Sequence, residues 1–458
     1  MHSAEIRAGA AERKWLAGVL LIGVALRVGA ALYLGNAVGE DMPGLADQLS
    51  YHTLAVRVTE GHGFSFGTGW WPATPAGEPT AHWSFLYTLL LSAMYWVVGP
   101  QPLAVRLVQA VVVGALHPYL SWRIGRRLFG PRVAIASALI AATYGYFVYY
   151  GAALMTEPLY LVGILWVIDV GMRIGDGDPH ARGAVWLWWW LGLAIAGTVL
   201  LRQVFLLCVP LVIAWIAARQ VAAARGLGLS SGRVLQRLAT GTALSALVVV
   251  VCVLPFTLRN YLAFERFVPI NTNAGFALFW GNHPVHGSRY MPLLPEYGQL
   301  IPEDLGGLNE AALDQALLVR GAAFVTADPQ RYLRLCLGRV REYFKFWPSP
   351  ESSAMSNAVR TISFGLFLPF MIGGIALVFV GRQPDGGAPA HDRGASLLPL
   401  VVAAGYTMIH VMIWALVRYR LPVDALLVPF AGVSVMWVVD RVGTRRLAGA
   451  PLVARQAP

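Results

Sequence analysis

The chain has 458 residues, of which 57% are hydrophobic and only 13% charged, and its mean hydropathy is +0.58. A soluble globular domain carries about 25% charged residues, so this composition excludes that class and points to a polytopic membrane protein. The formal charge of +11 rests almost wholly on arginine; in such a chain it fits cytoplasmic loops and anionic lipid, and no nucleic-acid motif accompanies it.

The first apolar run, Trp15–Tyr33, is long enough to span a bilayer and has no small-residue cleavage site after it, so it reads as a retained helix rather than a signal peptide. In the stretch Ala46 to Phe66, Asp47, Tyr51, Leu54 and Ala55 recur at i, i+4, i+7 and i+8, and Gly61-His62-Gly63 stops the pattern. That spacing predicts a short amphipathic helix on a membrane surface, opened by Asp47, whose carboxylate also suits a helix N-cap.

Further runs near the roughly 20 residues of a span are Leu103–Trp122, Val133–Tyr150, Glu157–Met172, Ala184–Leu201 and Val204–Ala217. Leu238–Phe256, Ile362–Val380, Leu397–Val417 and Leu421–Val439 follow, which makes about ten transmembrane helices in an all-α polytopic chain read as one domain, 1–458. One more run, Trp83–Gly99, is decided by charge. If it dips in and returns, the Arg-rich short loops, among them Arg123–Arg132, Arg173/Arg182, Arg219–Arg237 and Arg382/Arg393, all fall on the cytoplasmic side with both termini. Two large extracytoplasmic loops remain, Gly35–Gln101 and Thr257–Arg360.

This topology gathers Asp47, Glu157, Arg202, the Arg259-Asn260 pair and Arg418-Tyr419-Arg420 on the outer face. Charged groups at span ends that face a cavity are costly and usually functional. Trp188-Trp189-Trp190 reads as an interfacial belt or lipid-facing packing, and the three scattered cysteines as core fillers. His82, His283, His286 and Glu78 have no paired ligand spacing and read as solvated loop residues. A divalent metal is left open, with no cofactor assigned.

Several motifs recur in order: Asp47-x-x-x-Tyr51 with Glu60-Gly61-His62-Gly63-Phe64; Phe85-Leu-Tyr87 and Ala104-Val-Arg106-Leu107; Met155-Thr156-Glu157-Pro158; Leu258-Arg259-Asn260-Tyr261; Gly281-Asn282-His283-Pro284; and Arg418-Tyr419-Arg420-Leu421-Pro422. Together they resemble the polyprenyl-phosphate-sugar-dependent glycosyltransferases of the GT-C fold, a class that includes protein O-mannosyltransferases and bacterial aminoarabinose and lipopolysaccharide-core sugar transferases. Many relatives have two adjacent acids at the first site. Here Gln48 follows Asp47, and a second local acid would have to be Asp41 or Glu40.

The resemblance implies an integral membrane glycosyltransferase, hexosyl or pentosyl, in the bacterial cytoplasmic (inner) membrane with an extracytoplasmic active site. Its partners would be a polyprenyl-phosphate-sugar donor, a lipid, glycan or protein acceptor, and membrane lipids. Attack on the anomeric carbon needs a base near the acceptor hydroxyl, for which Asp47 is the candidate, and Glu157 joins it in the catalytic site, either holding the sugar hydroxyls or orienting the acceptor. Arg202, Arg259 and Arg420 are expected to converge on the donor phosphate, and Tyr51, Asn260, Asn282 and Arg418 on the substrates. A polytopic lipid or glycan transporter, and an O-antigen-type ligase or polymerase, are the alternatives.

Overall fold

The computed structural model of the protein describes residues 2–39, 46–177, 184–227, 231–292, 297–350, 352–381 and 392–448. Its helices in chain order are α1 (His2–Leu34), α2 (Ala46–Thr59), α3 (Phe85–Val98), α4 (Pro102–Phe129), α5 (Pro131–Thr143), α6 (Gly145–Ala152), α7 (Glu157–Gly175), α8 (Ala184–Leu201) and α9 (Val209–Gly226). They continue with α10 (Ser231–Phe264), α11 (Ala274–Asn282), α12 (Glu310–Ala327), α13 (Pro329–Tyr343), α14 (Ala354–Arg360), α15 (Leu366–Val380), α16 (Arg393–Met412) and α17 (Leu421–Ala448).

Among the described residues, eight helices are long and apolar enough to cross a membrane, or nine if α5 and α6 form one broken span. The protein is therefore a multi-pass, all-α membrane protein, and of the ten expected spans eight or nine meet this length and apolarity among the described residues. The expected span Val133–Tyr150 is bent by 54° between α5 and α6. Tyr144, at the break, has an extended backbone (φ −62°, ψ 114°) and donates its hydroxyl to Asp424 Oδ2 at 2.7 Å, a contact that a continuous helix would not deliver. The apolar part of α8, Val185–Leu201, falls short of span length, and the expected Leu397–Val417 helix stops at Met412.

Helices α1 and α4 lie antiparallel. At one end Glu12 Oε1 accepts from Arg126 Nε at 2.8 Å, and at the other Arg106 donates to the carbonyls of Leu34 and Gly35 while Leu103 N donates to Asn36 Oδ1. Gly114 permits their approach, because a Cβ there would stand 2.7 Å from Val24 Cα. Everything between α1 and α4 thus leaves and returns at the same end of the bundle. Helix α3, with 14 residues, reaches only about 21 Å at ~1.5 Å per residue, short of the ~30 Å hydrocarbon core.

Ion pairs tie the Arg-rich helix ends together at one end of the bundle. Arg127 and Arg219 both reach Asp176, Arg219 also reaches Asp392, and Arg132 meets Asp440 at 2.6 Å. Arg182, Arg382 and the segment after residue 448 lie outside the described residues. Tryptophan 188 is buried against Gly241, between α8 and α10, while Trp186 and Trp189 stack on each other.

At the opposite end a buried carboxylate joins the two large loops. Glu310 accepts hydrogen bonds from Thr74 Oγ1, Thr80 Oγ1, Ala81 N and Thr272 Oγ1 at 2.5–2.8 Å. Four donors satisfy a carboxylate that burial would otherwise make costly. Segments about 230 residues apart in sequence are thereby fixed over the helix ends.

Candidate functional site

Asp47 sits in the first turn of α2, and Tyr51 follows one turn later on the same face. Glu157 is the first residue of α7, where Pro158 is at home and a carboxylate favours the N-terminal dipole. Arg202 occupies an extended junction (φ −150°, ψ 109°) between α8 and the 3-10 turn Gln203–Cys208, and Arg418 lies in the 3-10 turn Val417–Arg420 ahead of α17. These four charges come from distant parts of the chain, and helix-end placement aims each at one point.

There they form a continuous chain of opposite charges. Arg418 Nη2 stands 2.8 Å from Asp47 Oδ2, and Arg418 Nε is 3.8 Å from Glu157 Oε1. Arg202 Nη2 is 3.1 Å from the same Glu157 oxygen, while Arg202 Nε donates to Thr156 Oγ1 at 3.1 Å. Both guanidinium groups also lie near the Tyr419 ring, at 5.0 and 5.5 Å from its centroid. The two carboxylates differ in access: the Asp47 side chain is 24% exposed and that of Glu157 only 2%.

Asp47, Tyr51, Arg202 and Arg418 line a cavity of about 1860 Å³, with Glu157 behind the two arginines. Burial and the Asp47 charge push the Tyr51 phenol above its ordinary value, so it stays a neutral hydroxyl. Burial disfavours the charge on Arg202, but Glu157 and the nearby tyrosines outweigh it and the group is held more firmly protonated than usual.

The expected convergence of Arg202, Arg259 and Arg420 is not found. Arg259 donates to the carbonyls of Thr80 and Phe64 and is enclosed by the rings of Phe64, Phe85 and Phe264, so it secures the first loop to α10. Arg420 is fully buried, paired with Asp424 at 3.0 Å, and donates to the Tyr343 carbonyl at 2.7 Å. Neither guanidinium borders the cavity.

The two asparagines likewise face inward. Asn260 donates to the Val268 and Ile270 carbonyls, and Asn282 donates to the Leu278 carbonyl and accepts from Arg339 at 2.8 Å. Buried amides with this many protein partners have little left for a ligand. Asp41 and Glu40 lie outside the described residues. Among the described residues no group of three or more His, Cys, Asp and Glu side chains could hold a metal ion. His82 contacts the Thr272 carbonyl, His286 the Trp280 carbonyl and His283 the Val285 amide.

Residues to which the sequence assigned no role complete the site. Thr156 carries the Arg202 hydrogen bond and was within reach of sequence reading, since it stands in the Met155-Thr156-Glu157-Pro158 motif. Trp71 and Tyr419 line the cavity, and Glu310 holds the loops that frame it.

Comparison with protein-family models and with curated proteins finds no match. Among solved structures, the oligosaccharyltransferase AglB of Archaeoglobus fulgidus, in complex with an inhibitory peptide and a dolichol-phosphate, matches 97% of this chain with TM-score 0.56 and 16% identity. Its apo form matches with TM-score 0.57 and 17% identity. ArnT of Cupriavidus metallidurans bound to undecaprenyl phosphate overlays with TM-score 0.45 at 16% identity, over 96% of this chain and 64% of that one. The AglB matches define the fold, which is of the GT-C type. The chain spans about half the length of the AglB chains, 53% and 52%.

Proposed function

We propose that this protein is an inverting membrane glycosyltransferase that moves one sugar from a polyprenyl-phosphate carrier to a hydroxyl on a lipid, glycan or protein acceptor, at the extracytoplasmic face of a bacterial cytoplasmic membrane. The observation that carries the reading is the placement of an accessible carboxylate, Asp47, beside two guanidinium groups on one cavity. The AglB protein, whose fold this chain shares, was solved with a dolichol-phosphate.

In the reaction the acceptor oxygen bonds to the anomeric carbon as the carbon–oxygen bond to phosphate breaks. Asp47 takes the hydroxyl proton, which raises the nucleophilicity of the oxygen as it attacks. The leaving phosphate is already a good leaving group, so the acid that glycoside hydrolysis requires is less needed. Arg202 and Arg418 hold the phosphate oxygens and stabilise the charge that returns to them. Glu157, inaccessible behind both arginines, fixes their planes rather than meeting substrate. The described residues supply no metal donor set, and no step here passes through a metal.

The test is transfer by the purified protein from a panel of polyprenyl-phosphate sugars, with the anomeric configuration of the product read by NMR. Wild-type protein should consume a donor with inversion, and Asp47→Asn should not. Failure to consume any such donor, while lipid or glycan is translocated in vesicles, would replace the enzyme with a transporter.

A further inference from the structure

We propose that the aromatic wall beside Asp47 is a pyranose-binding subsite, so that the acceptor hydroxyl belongs to a carbohydrate. This rests on the transferase reading above and selects among its acceptor classes. The wall begins one helical turn from the candidate base. Trp83 packs edge-on to Tyr51, with centroids 5.4 Å apart, and Trp71 lies 6.2 Å from Trp83 and presents a 43% exposed side chain to the cavity.

Trp71 is backed rather than loose. Its ring stacks on Trp280 at 5.4 Å and 24°, and Trp280 is itself fully buried and donates Nε1–H to the Tyr297 carbonyl at 2.8 Å. A flat, supported aromatic face of this kind matches the C–H face of a pyranose, which is apolar, while the hydroxyls of the sugar project from its rim and need hydrogen-bonding partners.

His82 supplies such a partner. It lies edge-on to Trp71 at 5.4 Å, and its Nδ1 is 3.1 Å from the Thr272 carbonyl. A carbonyl only accepts, so the network assigns the proton to Nδ1 and leaves Nε2 as a hydrogen-bond acceptor. The residue lines the cavity, and the neutral form is favoured because burial lowers its proton affinity more than Glu310 and Asp47 raise it. Glu310, hydrogen-bonded by Thr272 Oγ1, in turn fixes the carbonyl-bearing segment.

The chemistry of the wall narrows the ligand. Trp71, His82, Trp83, Phe276 and Trp280 carry no fixed charge, which suits an uncharged, hydroxylated molecule better than an anionic headgroup. A polyprenyl tail laid there would bury the Nε2 lone pair without a partner, and that omission is penalised.

Binding of free mono- and oligosaccharides to the purified protein, without donor, tests the subsite by saturation-transfer NMR and tryptophan fluorescence. Trp71→Ala should weaken saccharide binding about tenfold, the scale of one lost aromatic contact. Trp71→Phe should keep most of it. His82→Asn, whose amide can still donate to the Thr272 carbonyl, should weaken binding several-fold, and in transfer assays both losses should appear in acceptor KM with little change in kcat. The proposal is overturned if wild-type protein binds no saccharide, if Trp71→Ala instead weakens polyprenyl-phosphate binding, or if sugar-free peptide or lipid acceptors are used equally by wild type and Trp71→Ala. Saccharide binding that persists with no donor consumed would strike the transferase reading and leave the subsite standing.

Discussion

Helix α7 carries carboxylate–arginine clusters at both ends, and the two differ in what surrounds them. At its start, Glu157 is closed off by Arg202 and Arg418, and the chain of charges runs on to Asp47 and opens into the cavity. At the other end, about 28 Å away at ~1.5 Å per residue, Asp176 meets Arg127 and Arg219. Arg219 is 25% exposed there and its second partner, Asp392, 49%. Pairs of the second kind join helix ends in a screened setting, and their number says little about function. The first kind places charge where water is limited and a substrate can enter.

The sharpest way to break this comparison is Asp47→Asn. Asparagine keeps the shape, yet cannot take a proton. Turnover should fall by about 10²–10⁴-fold, the usual contribution of a positioned base, with little change in melting temperature and with donor binding retained. Glu157→Gln comes next. It leaves two guanidinium groups facing a neutral amide in a buried site, so stability should drop by on the order of 3 kcal/mol, and donor affinity should suffer more than the proton-transfer step. If Glu157→Gln abolishes transfer while Asp47→Asn retains it, the two roles are exchanged.

These two carboxylates show how far the sequence could be read. Asp47, Glu157, Arg202 and Arg418 are each a helix-end charge in an apolar chain, and Arg-rich loops elsewhere were enough to put them on a common face. Arg259 and Arg420 have the same local signature but a different fate, because their partners are the carbonyls of Thr80, Phe64 and Tyr343 and the Asp424 carboxylate. Most of those lie 75 or more residues away in sequence, and no spacing announces them. Glu310 was hidden for a related reason: behind Asn309, whose side chain caps α12, it looks like an ordinary first-turn acid, and only the folded loops supply its four donors. The bend at Tyr144 was equally hard to see, since Val133–Tyr150 contains no charged residue and no proline to mark it.

Another carboxylate on the cavity wall sharpens the contrast through pH. Asp314, in α12, has backbone donors in place of an arginine: Gly275 N at 2.8 Å and Phe276 N at 3.2 Å. Burial pushes it up to about 6, the two N–H groups pull it down, and Glu310 adds to the rise. The folded state therefore binds this proton more tightly than the unfolded chain, near 3.8. Its contribution favours folding below that value and is lost as pH rises to about 6, by roughly 2–3 kcal/mol. Asp314→Asn retains an Oδ1 acceptor for both amides and removes the titration. Melting curves between pH 4 and 7 should show a smaller loss of stability on raising pH in the variant than in wild type; an unchanged slope would assign it to other groups.

The smallest effect belongs to the far end of α7. Arg219→Ala removes the contacts to Asp176 and Asp392 and the stacking of the guanidinium near Trp215, 5.8 Å from its ring centroid. The group is partly exposed, so the Coulomb gain is screened and each ion pair holds two long side chains at an entropic cost. The expected loss is about 0–1 kcal/mol, further reduced at high salt, with some of it arising from packing of the apolar stem on Trp215. Nothing in this cluster touches the cavity, so sugar transfer in membranes should stay within about twofold of wild type, below the scale of a single lost hydrogen bond to a charged group. Melting temperatures at low and high salt and the transfer rate measure both parts. A large fall in transfer with an unchanged melting temperature would show that α7 couples its two ends, and the division between a structural and a catalytic cluster would then fail.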